Sequence, residues 1–319
     1  MPKLVIGFIT YGEVTAKYLP YFLDSLKNQT YKDFDILVID NTDEEENDNR
    51  AYIKKNYSEI EFKWDGGNIG FSRAYNKMIK KAINRGASLF LMLNPDMILE
   101  ENAIEKLVKE IDEDGELSSV APKILQWDFK NKEKTNRIDS LGIALKPGLR
   151  FVDIGQGKID KGQCEKIKIL GPSGAAGMFR LSALQKVAEK SDRYFEEMMF
   201  MYKEDCDLVY RLYLNGFKSR CICDAVIYHD RSAAASGEGI LKIIKDRKTK
   251  SDNVRAWSFL NQQIIFCKYW GLQNFQNKLN IIYSEIKIFC YIILRERFLL
   301  KEVFNLFLIR KKIKPYKFN

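Results

Sequence analysis

Two groups of residues in this 319-residue chain have the types and spacing to do chemistry together. Glu204-Asp205-x-Asp207 puts three carboxylates within four residues, beside the apolar run Phe200-Met201-Tyr202. Like charges crowded in a half-buried place raise one pKa, which suits a proton acceptor. A helix start decorated with acids has the same pattern. The second group is polar and lies where apolar runs end: Thr10-Tyr11, Asp40-Asn41 and Asn94-Pro95-Asp96. One such ending is a solvated turn as often as a site; three in succession at one edge favour a site. Asp96, in a Pro-stiffened turn, suits Mg2+ or Mn2+, which take oxygen donors and usually only one or two protein carboxylates besides phosphates. Its spacing from Glu101 weakens the rival reading as a helix cap. His229 is the one histidine of the chain and closes an apolar run beside Asp230 and Arg231. A lone histidine is more often structural, but this placement favours a ligand.

The elements that must position these groups follow from hydrophobic periodicity. Residues 3–10, 35–40 and 88–93 are continuous apolar runs of strand length, the pattern of strands buried on both faces. Helical spacing predicts helices over 14–29 (Leu19, Phe22, Leu23 and Leu26 on one side), 48–57 and 73–85, with a short strand at 60–63. Alternation at this spacing implies right-handed βαβ units and a doubly wound α/β sheet, whose ligands collect at the carboxyl ends of the strands. Residues 126–168 are polar and Lys-rich, with weak alternation at 141–154, and read as a hairpin or flexible insertion. Gly171, Gly174 and Gly177 lie close together, so backbone must approach something closely there. Helices are expected at 182–190 and 204–215, a strand over 221–228 delivering His229, and helix from about 253 onward.

Charge is uneven. Residues 239–319 carry a net +12, while residues 1–238 carry −3. The basic part is also apolar, with Phe298, Leu299, Phe304 and Phe307 among Arg295, Arg297 and Arg310 to Lys312. No nucleic-acid-binding signature accompanies it, so an anionic membrane surface is the expected polyanion. The same apolar face could instead pack on the catalytic body or in a homodimer, and the sequence leaves that open. No run approaches the roughly 18 apolar residues of a membrane span, and residues 1–11 read as a strand and not a targeting segment. The expected location is the cytoplasm, peripheral on the inner face of the membrane. The six cysteines show no framework spacing, so reduced thiols are expected.

Over residues 3–232 the sequence resembles a family 2 glycosyltransferase, a nucleotide-diphospho-sugar transferase of the GT-A fold, in its rhamnosyltransferase-like branch. The matching segments are Phe8-Ile9-Thr10-Tyr11, Val38-Ile39-Asp40-Asn41, the run from Gly66 to Asn76, Leu93-Asn94-Pro95-Asp96, Gly174 to Met178, Phe200 to Leu208, and Tyr228-His229. A helical pattern of Asn261, Lys268 and Tyr269 extends it. The resemblance implies that Thr10 and Tyr11 line the nucleotide pocket and that Asp40 bonds the base. It implies that Asn68, Gly70 and Arg73 border the donor, with Asn94 and Glu204 also on substrate. Asp96 takes the second-Asp position of the family's DxD metal motif, whose first Asp is here Asn94. Asp205 matches the catalytic base and His229 a further metal or diphosphate ligand.

The expected architecture is a Rossmann-like, doubly wound mixed sheet of the GT-A type over 1–238, with a basic, mostly helical region over 239–319. The expected reaction is inverting, metal-dependent transfer from a dTDP- or UDP-sugar, dTDP-rhamnose first, to a hydroxyl of a lipid-linked or surface glycan. Two rivals remain weaker. A sugar-nucleotide nucleotidyltransferase needs a Gly-rich basic loop after the first strand, and Thr10-Tyr11-Gly12-Glu13 is not one. A non-catalytic sugar-nucleotide-binding scaffold has no use for a base.

Overall fold

The structure is a computed structural model that describes residues 3–190, 192–231 and 250–317. The apolar runs become strands β1 (Leu4–Thr10), β2 (Phe34–Asp40), β3 (Glu61–Trp64) and β4 (Leu89–Leu93). They alternate with helices α1 (Gly12–Ala16), α2 (Leu19–Lys27), α3 (Asp48–Asn56) and α4 (Phe71–Asn84). β4 is buried along its whole length, which explains an apolar sequence without alternation. The helix expected over 14–29 is two helices. Pro20 sits in the first turn of α2, where its missing N–H is harmless, while its ring opposes continuation from α1.

Downstream follow β5 (Met97–Leu99), α5 (Ala103–Glu113), β6 (Leu117–Asp128), β7 (Glu133–Ser140), β8 (Ile143–Lys146) and β9 (Arg150–Asp153). Then come β10 (Ala176–Arg180), α6 (Leu181–Val187), α7 (Glu204–Leu214) and β11 (Lys218–His229). The main sheet runs β3-β2-β1-β4-β10-β6-β11-β5, with β7 on β6. Its first four strands are parallel, whereas β10 opposes both β4 and β6, so the sheet is mixed. Chain order reverses around β1, which has β2 on one side and β4 on the other, and ligands gather at such a switch point.

Each face of the sheet is covered by an apolar layer. One holds Leu19, Phe22, Leu23 and Leu26 of α2 with Ile104, Leu107 and Ile111 of α5. The other holds Ala74, Met78 and Ile79 of α4 with Leu184 of α6 and Leu208 and Leu212 of α7. After the boundary expected at 238, which lies outside the described residues, the chain forms α8 (Asp252–Tyr269), α9 (Phe275–Arg295) and α10 (Leu300–Ile309). Ile264, Ile265 and Tyr269 of α8 join the second layer. Among the described residues no helix is long and apolar enough to cross a membrane.

Two expectations need correction. Of the two alternatives for 126–168 the hairpin holds, with β8 paired to β9, and the flexible insertion does not, since β7 extends the main sheet. The polar residues of this stretch sit on partly exposed strands, which blurred the alternation. Nor are all thiols reduced, because Cys164 is bonded to Cys223. The period of a strand puts Cys221 and Cys223 on one face of β11, and Cys221 Sγ lies 3.4 Å from Cys164 Sγ. Sequence spacing could not anticipate a partner 59 residues away.

Candidate active site

Strand register builds the first half of the site. β5 and β11 are antiparallel with Met97 opposite His229, and Asp230 N–H donates to the Asp96 carbonyl at 2.9 Å. That register turns both side chains to one place, with His229 Nε2 standing 3.2 Å from Asp96 Oδ1. The other ring nitrogen, Nδ1, bonds Asp139 Oδ2 at 2.8 Å. Asp139 also takes Arg231 Nη1 at 3.1 Å, and the same nitrogen lies 3.4 Å from Asp153 Oδ2. Burial pulls the His229 imidazole down, but Asp96 and Asp139 more than offset it and push it up to about 10. Burial raises the Asp139 carboxyl, yet His229 and Arg231 prevail and hold it low.

These residues would fit a divalent cation once His229 releases its Nε2 proton, since an imidazole ligates only when neutral. Asp96 Oδ1 is buried without a hydrogen-bond partner, and His229 Nε2 faces it. A carboxylate bonded to one ring nitrogen of a histidine, as Asp139 is here, fixes the orientation of the ring. Among the described residues no three His, Cys, Asp or Glu side chains are grouped to hold an ion alone. Two protein ligands completed by diphosphate oxygens are what Mg2+ and Mn2+ commonly accept.

The second half comes from α7. Asp205 Oδ2 accepts the Gly174 N–H at 2.7 Å, and Oδ1 accepts the Cys206 N–H at 2.7 Å. A Cβ on Gly174 would lie 3.0 Å from Asp205 Oδ2, which explains the glycine. The next residue, Ala175, accepts the Asn94 N–H at 2.9 Å, so the backbone connects the proton-acceptor candidate to the Asn94–Asp96 turn. Glu204 is buried, its Oε2 unpartnered, and burial followed by the charge of Asp205 pushes its carboxyl well above the usual range. Tyr75, whose hydroxyl donates to the Leu93 carbonyl at 3.0 Å, feels both Glu204 and Asp96.

Asp207, counted in the same carboxylate cluster from sequence, points elsewhere. It is fully buried, with Arg211 Nε at 2.9 Å, Lys268 Nζ at 2.7 Å and the Tyr269 hydroxyl at 2.7 Å. Helical spacing puts positions 205 and 207 on different sides of α7, and α8 supplies the partners of 207. Asn261 of α8 donates to the Met201 and Tyr202 carbonyls at 2.8 and 2.7 Å. This clamps a strained turn, since Tyr202 and Lys203 have φ of 73° and 68° just ahead of Glu204. The Asn261, Lys268 and Tyr269 pattern is thereby explained.

The remaining candidates line the β1–β2 end and the start of α4. Thr10 Oγ1 donates to Asp40 Oδ1 at 2.8 Å, and Thr42 and Asn47 add bonds of 2.7 Å each to the same buried carboxylate. These bonds fix the 40–47 loop without using every lone pair. Tyr11 is exposed beside them. Asn68 Oδ1 accepts the Gly70 N–H at 3.0 Å. Gly70 has φ 83°, and a Cβ there would meet Phe200 at 2.6 Å, so only glycine lets α4 start against the 200–203 turn. Arg73 is exposed, 3.8 Å from Glu197. β1 and β4 are parallel with Gly7 opposite Met92, so Thr10, Asp40 and Asp96 all emerge at one sheet edge. Sequence reasoning missed Asp139 and Asp153. Their signal was faint: Asp139 stands between Ile138 and Ser140, and Asp153 between Val152 and Ile154, within a Lys-rich stretch.

The family model described as Glycosyl transferase family 2 matches residues 6–188. No curated protein matches the sequence. Among solved structures, that of S. aureus TarS is similar with a TM-score of 0.51 at 18% identity, covering 72% of this chain and 37% of that one. S. aureus TarS 1-349 in complex with UDP gives 0.50 at 16%, covering 81% and 66%. GalNAc-T7 with UDP, GalNAc and Mn2+ gives 0.60 at 12%, covering 85% and 49%. At these identities the likeness is one of fold, and this chain spans between about a third and two thirds of those chains' lengths.

Proposed function

The chain belongs to glycosyl transferase family 2 and has the GT-A type of fold with a helical C-terminal region, and from that premise we propose that it is an inverting transferase using a nucleotide-diphosphate sugar. The acceptor would be a hydroxyl of a lipid-linked or growing surface glycan. The observation that carries the reading is the convergence of Asp96 and His229 on one point, with Asp96 Oδ1 unpartnered and Asp205 tethered nearby through Gly174.

Thr10, Tyr11 and Asp40 border the nucleotide, and Asn68, Gly70 and Arg73 border the donor. Asp96 and His229 would hold Mg2+ or Mn2+, which when bound would supply positive charge against the leaving diphosphate. Asp139 keeps the His229 ring oriented through Nδ1. Asp205 takes the proton of the acceptor hydroxyl. The acceptor oxygen forms its bond to the anomeric carbon as the carbon–diphosphate bond breaks, its electron pair leaving with the diphosphate. In-line attack inverts the anomeric centre. Glu204, buried next to Asp205 at the start of α7, would complete the substrate side of the site.

dTDP-rhamnose is the donor placed first. A UDP-hexose is the alternative, favoured by the UDP in the TarS 1-349 and GalNAc-T7 structures. A thermal-shift panel of dTDP- and UDP-sugars, with and without Mn2+, tests the reading. A ligand at 100 times its Kd adds about 2.7 kcal/mol of stability. A metal-dependent rise in Tm with one donor supports it, and no response to any nucleotide sugar refutes it.

A further inference from the structure

We infer that the outward faces of α9 and α10 are a docking surface for an anionic phospholipid bilayer, on which the protein lies without spanning it. The inference rests on the lipid-linked acceptor proposed above for its purpose, and on the helices' own surface for its geometry. α9 is apolar on both sides. Ile281 and Ile292 are buried against the body, while Phe275, Leu279, Ile282, Ile286, Phe289 and Ile293 form an exposed stripe at spacings of four and three residues. Tyr283 and Leu294 widen it, at 62% and 74% exposure, beyond the narrow seam of a coiled coil. α10 adds Phe304, Phe307 and Leu308, each more than 60% exposed. Large exposed apolar patches mark interaction surfaces.

The charge decides what covers it. Among the described residues from 272 onward there are three carboxylates, and none is exposed. Glu296 is buried against Arg255 at 2.9 Å, Glu302 is buried beside Asn305, and Glu285 is half-buried with Oε1 enclosed. The basic residues are turned the other way: Lys287, Arg295, Lys301, Lys311, Lys312 and Lys314 are all exposed. A two-fold dimer sets one patch against itself, so this face would meet its own positive charge. An anionic leaflet complements both the charge and the apolar stripe, as interfacial helices do.

The test is sedimentation of the full chain with phosphatidylcholine vesicles, with and without phosphatidylglycerol, at low and high salt. Lys311→Glu/Lys312→Glu/Lys314→Glu and Phe304→Ser/Phe307→Ser are compared with wild type. All five positions are exposed, so the fold tolerates them. Wild type is expected to bind only the phosphatidylglycerol vesicles, and to release in salt. Each variant is expected to bind about tenfold more weakly or worse. Equal binding to both vesicle types, or salt-insensitive binding, overturns the inference. So does a dimer by light scattering that Phe304→Ser/Phe307→Ser converts to monomer, which would give the face to a second copy. UDP and dTDP titrations without vesicles run alongside. Lost vesicle binding with intact nucleotide binding refutes the docking face alone, and the converse refutes only the proposed donor.

Discussion

His229 holds its two ring nitrogens against two carboxylates of opposite standing. Asp139, at 2.8 Å, is fully engaged, whereas Asp96 Oδ1, at 3.2 Å, has no hydrogen-bond partner. One carboxylate orients the ring, and the other shares with it a point where a cation would sit. His229→Ala and Asp139→Asn should therefore differ. The first should weaken metal-supported donor binding strongly, and the second by about 10–100-fold, the range for an outer-shell partner. Titration of UDP with Mn2+ into both variants checks this. An unchanged affinity in Asp139→Asn would remove the orienting role.

Asp205→Asn should abolish transfer while leaving donor affinity nearly unchanged, because the role proposed for Asp205 is to act on the acceptor and not on the donor. A positioned base contributes roughly 10²–10⁴-fold, so turnover should fall by at least about 10². The amide keeps an oxygen for the Gly174 N–H, and the fold should survive. Turnover above about a tenth of wild type would put the base elsewhere.

Asn261 lies far along the chain from Asp205, yet it bonds the Met201 and Tyr202 carbonyls at the strained turn. Asn261→Ala leaves that turn to relax and should lower kcat about tenfold or more, since small misplacements of a reacting group are costly. Donor affinity should change little. Steady-state kinetics with a donor titration checks the split. A loss confined to Tm, with kcat intact, would make Asn261 merely structural.

Much of this fold was legible in the sequence, because β1, β2 and β4 are buried on both faces and their apolar runs survive any context. The places of Asp96, Asp205 and His229 along the chain followed, since Asp96 lies in the turn between two strands, Asp205 in the first turn of α7 and His229 at the end of β11. What was not legible depended on long-range pairing. β7 and β9 carry Asp139 and Asp153 on polar strands whose partners are set by tertiary contact. Asp207 looked like a member of the acidic site because its partners Lys268 and Tyr269 lie about sixty residues on. Asp40 was expected to meet the base, and its bonds to Thr10, Thr42 and Asn47 needed coordinates to be seen.

Lys268 is buried with Asp207 at 2.7 Å and Glu196 at 3.5 Å. Asp207 would keep Arg211 and Tyr269, but Glu196 and Glu189 would lose their cation, so Lys268→Ala should destabilise by about 3 kcal/mol. Glu196→Gln/Lys268→Met should recover part of that loss, because a carboxylate facing Lys268 goes with it while Asp207 keeps Arg211. Urea unfolding of the three proteins checks it. A single-variant cost under about 1 kcal/mol would mean that water reaches the site.

Burial pushes the Glu196 carboxyl up to about 7, against the opposing pull of Lys268. A raised acid binds its proton more tightly in the folded state, so this contribution is present below the unfolded pKa and lost as pH rises toward 7. Glu196→Gln cannot ionise, and its stability relative to wild type should therefore improve between about pH 4.5 and pH 7. Unfolding both proteins across that window tests the sign. A constant difference would show that Glu196 does not titrate there.

The most direct test of the account is calorimetric titration of UDP and dTDP into wild type and Asp96→Ala, each with Mn2+ and after chelation. Wild type should bind one of the nucleotides with Mn2+ and lose most of that affinity on chelation. Asp96→Ala should bind weakly and equally in both conditions. If all four conditions give the same affinity, Asp96 holds no cation for the diphosphate and the proposed site is wrong.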